Sequence, residues 1–179
     1  YMSTMPEHTR RVVPALFLFL LSLYLLNFSG WPHSSDGIAM LATAESVVRR
    51  ADLDMNAYLW MGLQQGSLGP DGELYSRKAM GQVLAVLPLA WLGLHSNALG
   101  LVQAAMILSP LIAALTACCL YVASLHLGCR PATALVVALL YGLATPALPY
   151  SKYFFSDPLA GLGLSGALVA LLLYRHSRT

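Results

Sequence analysis

Residues 98–127 read ALGLVQAAMILSPLIAALTACCLYVASLHL, thirty positions without an aspartate, glutamate, lysine or arginine. A helix needs about 20 predominantly apolar residues to cross the hydrocarbon core of a bilayer. This run exceeds that length, with Ser109-Pro110 inside it. Residues 12–31 form a second stretch with no charge at all. Shorter apolar runs cover 79–94, interrupted by Pro88, then 132–148 and 159–174. The whole chain of 179 residues is 58% hydrophobic and only 10% charged, against about 25% charged for an average soluble domain. Its mean hydropathy is +0.65. The reading is an all-α, polytopic helical membrane protein with four or five membrane segments.

Composition also excludes function classes. A formal charge of +2 is too small for a nucleic-acid footprint, and no aromatics interleave with a basic stripe. The three cysteines, Cys118, Cys119 and Cys129, form no CxxC pair and no even framework. They point to helix packing rather than to zinc or disulfides.

His8, Arg10 and Arg11 precede the first apolar run. That arrangement resembles a signal peptide, but the run is long and Phe28-Ser29-Gly30-Trp31-Pro32 is a poor cleavage site. An uncleaved anchor over 12–31 is expected, with Pro14 in its first turn and Trp31 at interface depth. The bases before it place the N-terminus on the cytoplasmic side.

Residues 32–78 are the one sizeable polar segment, with six acids and four bases, and are expected to form the first outer loop. Ile38, Leu41, Ala42, Ala44 and Val48 recur near helical spacing, which predicts an amphipathic helix lying on the membrane surface. Ser34 or Ser35 would cap it, with Asp36 in the first turn complementing the helix dipole. A second surface helix is predicted near residues 56–65. Gly69-Pro70-Asp71-Gly72 signals a turn.

If each of the five runs crossed once, Arg130, Arg175 and Arg178 would end outside, against the positive-inside rule. If 79–94 dips in without crossing, or if 98–127 re-enters, those bases become cytoplasmic. Residues 150–157 then share the outer face with Asp36.

Three groups can carry chemistry. Asp36, at the edge of hydrocarbon, must reach water, a cation or a functional cavity; it is either a solvated first-turn acid, or a general base or a metal- or acceptor-binding carboxylate facing a membrane-level cavity. Arg77 and Lys78 stand where the loop re-enters lipid. They either snorkel to headgroups or bind a phosphate, and Gly81 beside them lets a ligand approach the backbone. Asp157 before Pro158 is a helix cap or a second acidic site. His33 and Asp36 form only a lone H-x-x-D, so no metal site is assigned.

The order of these features resembles the start of GT-C class polytopic glycosyltransferases, in the branch of protein mannosyltransferases and aminoarabinose transferases. The matching stretches are Ser34-Ser35-Asp36-Gly37, Ala44-Glu45-Ser46 and Pro70-Asp71-Gly72-Glu73-Leu74-Tyr75-Ser76-Arg77. Gly81-Gln82, Leu87-Pro88-Leu89, Pro149-Tyr150-Ser151-Lys152 and Phe155-Ser156-Asp157-Pro158 continue the series. Lys78-Ala79-Met80 departs from the family, which has a more aromatic, glycine-bearing stretch there.

The resemblance implies transfer of a sugar from a polyprenyl-phosphate donor to an acceptor on the outer face of a bacterial inner membrane. Asp36 would be the catalytic base, Arg77 with Lys78 would hold the donor phosphate, and Asp157 would be the second acid. No cofactor is required, and a divalent cation is compatible. Family members run longer than this chain, so 1–179 is expected to be a single membrane domain, incomplete relative to the family. The alternative is a non-catalytic transmembrane subunit that packs against other membrane proteins through small-residue faces. Partners are then membrane lipids, the lipid-linked donor and other transmembrane subunits, with no nucleic acid.

Overall fold

The structure is a computed structural model that describes residues 7–178 and is mostly helical. Residues 1–6 and Thr179, at the ends of the expected domain, lie outside the described residues, as does the His8 side chain. Three helical stretches, Thr9–Leu26, Leu101–His126 and Asp157–His176, are long and apolar enough to cross a membrane. They are compatible with a membrane protein. Two apolar helices, Met80–His95 and Pro131–Ala144, are shorter. The chain divides into two units.

The first unit takes residues up to Phe28, Pro110–Ser151 and Asp157 onward. It holds α1 (Glu7–Leu26), most of α5 (Leu108–His126), α6 (Pro131–Ala144), α7 (Ala147–Tyr150) and α8 (Asp157–His176). Leu16, Leu20 and Tyr24 repeat every four residues and so share one face of α1. They pack with Ala113, Ala114, Ala117 and Tyr121 of α5 and with Ala134 and Ala138 of α6. Alanines on the facing helices let backbones approach closely enough for large α1 side chains to fill the gap. Tyr24 Oη donates to the Gly142 carbonyl at 2.9 Å, which satisfies a hydroxyl buried in this apolar core. Cys118 belongs to the same core, whereas Cys129 is exposed.

α1 begins before the apolar run predicted, because Arg10 and Arg11 are good helix formers and extend it outward. Pro14 therefore lies in the helix interior rather than in its first turn. At the other end the helix stops at Leu26, so Trp31 lies beyond it and is exposed.

The second unit comprises Ser29–Ser109 and Lys152–Ser156. In it are α2 (Ser35–Arg50), a 3-10 helix (Asn56–Gln64), the antiparallel strands β1 (Gly66–Leu68) and β2 (Leu74–Ser76), α3 (Met80–His95) and α4 (Leu101–Met106). Ser34 caps α2 by accepting from the Gly37 amide at 3.0 Å. The predicted turn joins β1 to β2, with Gly72 at φ +82° supplying the left-handed conformation. Met55 donates its amide to the Leu74 carbonyl and packs with Ala39, Ala42 and Leu74.

α2 differs from the expected surface helix. Ala39, Met40, Leu41, Ala42, Thr43, Ala44 and Ser46 are all buried. Small side chains on several faces permit contact with α3, the hairpin and the 3-10 helix together, so the helix is enclosed by its own unit. Asp36 meets Lys78 at one end, and Arg49 shares a groove with Gly93 and Leu94 at the other. α2 and α3 therefore run parallel. At Gly93 an added Cβ would sit 2.6 Å from Ala104 Cβ and 2.8 Å from Leu101 Cα, so α3 and α4 touch backbone to backbone there.

The long uncharged run forms two helices. Pro110 has no N–H to give the Met106 carbonyl, and α4 ends at Met106 before α5 begins at Leu108.

Candidate functional site around Asp36

Asp36 stands in the first turn of α2, fixed by the Ser34 cap behind it. The next residue, Gly37, presses against Phe154, whose carbonyl oxygen and Cβ lie 3.1 and 3.2 Å from where a Cβ would be. Phe154 is fully buried. Tyr153 is held by the Ser109 hydroxyl, which donates to its carbonyl at 2.8 Å. Its ring meets His33 edge-on at 5.6 Å and stacks on Phe155 at 5.5 Å. The aromatic segment thus braces the start of α2.

Lys78 Nζ lies 2.8 Å from Asp36 Oδ2. Both side chains keep about a third of their surface exposed, at 31% and 37%. The pair is therefore reachable from solvent rather than sealed. Around it, Gln65 Nε2 donates to Ser35 Oγ at 2.8 Å, and His33 Nε2 lies 2.8 Å from Ser29 Oγ. The Lys78 amide donates to Ser76 Oγ at 3.1 Å, which sets the chain direction entering α3.

Arg77 takes another direction. Its Nε donates to Ser67 Oγ across the hairpin at 2.8 Å, and its amide donates to the Gln65 carbonyl. Among the two bases, Lys78 is the one paired with Asp36. Space beside the Gly81 Cα is open. Gln82 is 1% exposed, and neither amide atom finds a hydrogen-bond partner among the described residues. Asp157 is exposed and opens α8, in the first-turn position of that helix. No cluster of three or more metal-ligating side chains occurs among the described residues.

A second polar group was not singled out from sequence. Asp54 is 3% exposed. Its carboxylate accepts from Ser46 Oγ at 3.1 Å, Arg50 Nη2 at 2.8 and 2.9 Å, and the Asn56 amide at 2.9 Å. Burial pushes this carboxyl up, but the Asn56 amide, the Ser46 hydroxyl and the Arg50 guanidinium together hold it below the usual carboxylate range. The i,i+4 spacing of Arg50 and Asp54 was the available signal, hidden because the helix ends between them at Ala51. Asn56 extends the network, bonding Glu73 through its amide nitrogen and accepting from the Leu74 amide.

At the hairpin tip, Tyr75 Oη donates to Asp71 Oδ2 at 2.6 Å. That bond lowers the Asp71 carboxyl and pushes the Tyr75 phenol up to about 12.

Comparison with models of known protein families, with curated proteins and with solved structures finds no match to this chain.

Proposed function

We propose that the chain is a membrane glycosyltransferase, or part of one, that takes a sugar from a polyprenyl-phosphate donor on the outer face of a bacterial inner membrane. The observation carrying this reading is the Asp36–Lys78 ion pair, which sets an acid and a base side by side at a solvent-reachable edge. Asp36 accepts the proton of an acceptor hydroxyl as that oxygen attacks the anomeric carbon. The bond from that carbon to the phosphate oxygen breaks, with inversion, and the lipid phosphate departs. Lys78, with Arg77 nearby in sequence, stabilises the charge on the leaving phosphate. Donor phosphate competes with Asp36 for the Lys78 ammonium, so donor binding frees the carboxylate to act as a base.

In this reading the N-terminus is cytoplasmic, four or five segments enter the membrane, and Asp157 is a second acidic group. No cofactor is needed. The test is Asp36→Asn in proteoliposomes supplied with a lipid-linked sugar donor: transfer is abolished while thermal unfolding is unchanged. Unaltered turnover in that variant retires the proposal.

A second reading, as a transmembrane subunit of a larger complex, is favoured by α8. Ser165 is its one buried residue, and at Gly163 and Gly166, neighbours on one face, an added Cβ would meet nothing. Such a face suits close packing by another helix. Stoichiometric co-purification with another membrane protein, lost on Gly163→Leu, supports it.

A further inference from the structure

Gln82 stands in the first turn of α3, shortly after the N-cap, Ala79. It heads a buried face that continues through Val86, Ala90 and Gly93 at helical spacing. Those neighbours carry no polar side chain, and a methionine would fill the place of Gln82 with much the same shape. The glutamine is nonetheless 1% exposed, and neither Nε2 nor Oε1 has a partner among the described residues. A glutamine in this position can reach back to the N-cap amide in a capping box, and this one does not. Both polar atoms are therefore stripped of water with no hydrogen bond to offset the loss.

Helical side chains lean toward the N-terminus of their own helix, so the Gln82 amide is directed to the end of α3 that Lys78 precedes. There Lys78 Nζ meets Asp36 Oδ2 at 2.8 Å. No side chain caps α3 at that end, and the space beside Gly81 is open. An acid, a base and an unpaired amide thus gather at one helix start.

An amide presents a donor and an acceptor side by side. Phosphate oxygens only accept, and would satisfy Nε2 alone. Neighbouring hydroxyls of a sugar ring satisfy both atoms. In a sugar phosphodiester the ring is bonded directly to the phosphate, so a phosphate held by Lys78 brings those hydroxyls toward the same turn.

On the reading of the chain as a transferase, we propose that Gln82 binds the sugar of the lipid-linked donor, with Nε2 donating to one ring hydroxyl and Oε1 accepting from the next. Phosphate binding draws Lys78 from Asp36 and uncovers the amide, which then finds the partners that the protein itself does not provide.

The test compares the native chain with Gln82→Met in bilayer discs, by thermal unfolding and by retention of lipid in native mass spectrometry. The probes are bare undecaprenyl phosphate and its mannosyl and glucosyl esters. Gln82→Met keeps or raises the unfolding midpoint, because an apolar group of the same shape replaces unpaired polar atoms. It lowers retention of at least one glycosyl ester about tenfold and leaves that of the bare phosphate unchanged. A lowered midpoint, or failure to fold, shows that the amide has a structural partner and overturns the proposal. An equal effect of Gln82→Met on bare and glycosylated lipid, or no effect on either, overturns it too and leaves the transferase reading standing. A native chain that retains none of these lipids retires that reading and this assignment together.

Discussion

Asp36 Oδ2 and Lys78 Nζ meet at 2.8 Å and tie the first turn of α2 to the chain entering α3. An ion pair this exposed is worth at most about 1 kcal/mol. Its effect on stability and its proposed effect on transfer are therefore separable. Lys78→Met shifts the unfolding free energy by less than about 1 kcal/mol, while transfer from a lipid-linked donor falls roughly a hundredfold. Thermal unfolding and a radiolabelled transfer assay on one preparation check both.

Asp54→Asn destabilises the second unit by about 1–3 kcal/mol, because buried donors from Ser46 and Asn56 lose their charged acceptor. Arg50 is half exposed and can turn to water, which keeps the cost below that of stranding a buried cation. Denaturant unfolding followed by a probe in residues 29–109 measures it.

The same carboxylate gives a pH signature. Its folded-state value lies below the unfolded one, which is about 3.9. The stabilisation is therefore fully present above about pH 4 and is lost as pH falls through the lower folded value. Native protein loses stability across that window. Asp54→Asn is flatter there, as read from unfolding midpoints along an acid series.

Gly93→Ala costs about 1–3 kcal/mol. Its new methyl meets Leu101 Cα and the Gly100 carbonyl, backbone atoms that cannot rotate away. Gly81→Ala, where nothing lies within 4 Å, serves as the control. A lowered thermal midpoint for the first alone confirms the close approach of α3 and α4.

Ala51→Gly is stabilising by up to about 1 kcal/mol. Ala51 ends α2 at φ 56°, a left-handed conformation that strains a Cβ. An increased unfolding midpoint is the expected readout.

The apolar runs made the membrane-length helices legible, since length and lack of charge are local properties. The Ser34 cap and the 69–72 turn were legible for the same reason. Enclosure of α2 was not, because alanine and serine can face lipid, solvent or another helix and only the packed neighbours decide. The strands escaped notice because three residues each are too few to show alternation. At the site, charge type identified Asp36, Arg77 and Lys78. Which base pairs with the acid depends on the hairpin, which draws Arg77 towards Ser67. The Asp54 network was obscured by the left-handed turn that folds Arg50 and Asp54 together beyond the helix end.

The second unit is assembled from two separated pieces of chain, with Phe154 arriving from Lys152–Ser156 to lie against Gly37. A ribosome emits the α2 segment long before it emits that phenylalanine. The start of α2 therefore waits, with one wall missing, while α3 through α7 are translated. Synthesis order alone gives this protein a late closing step, and a nascent chain halted before residue 154 would expose the Gly37 surface to protease.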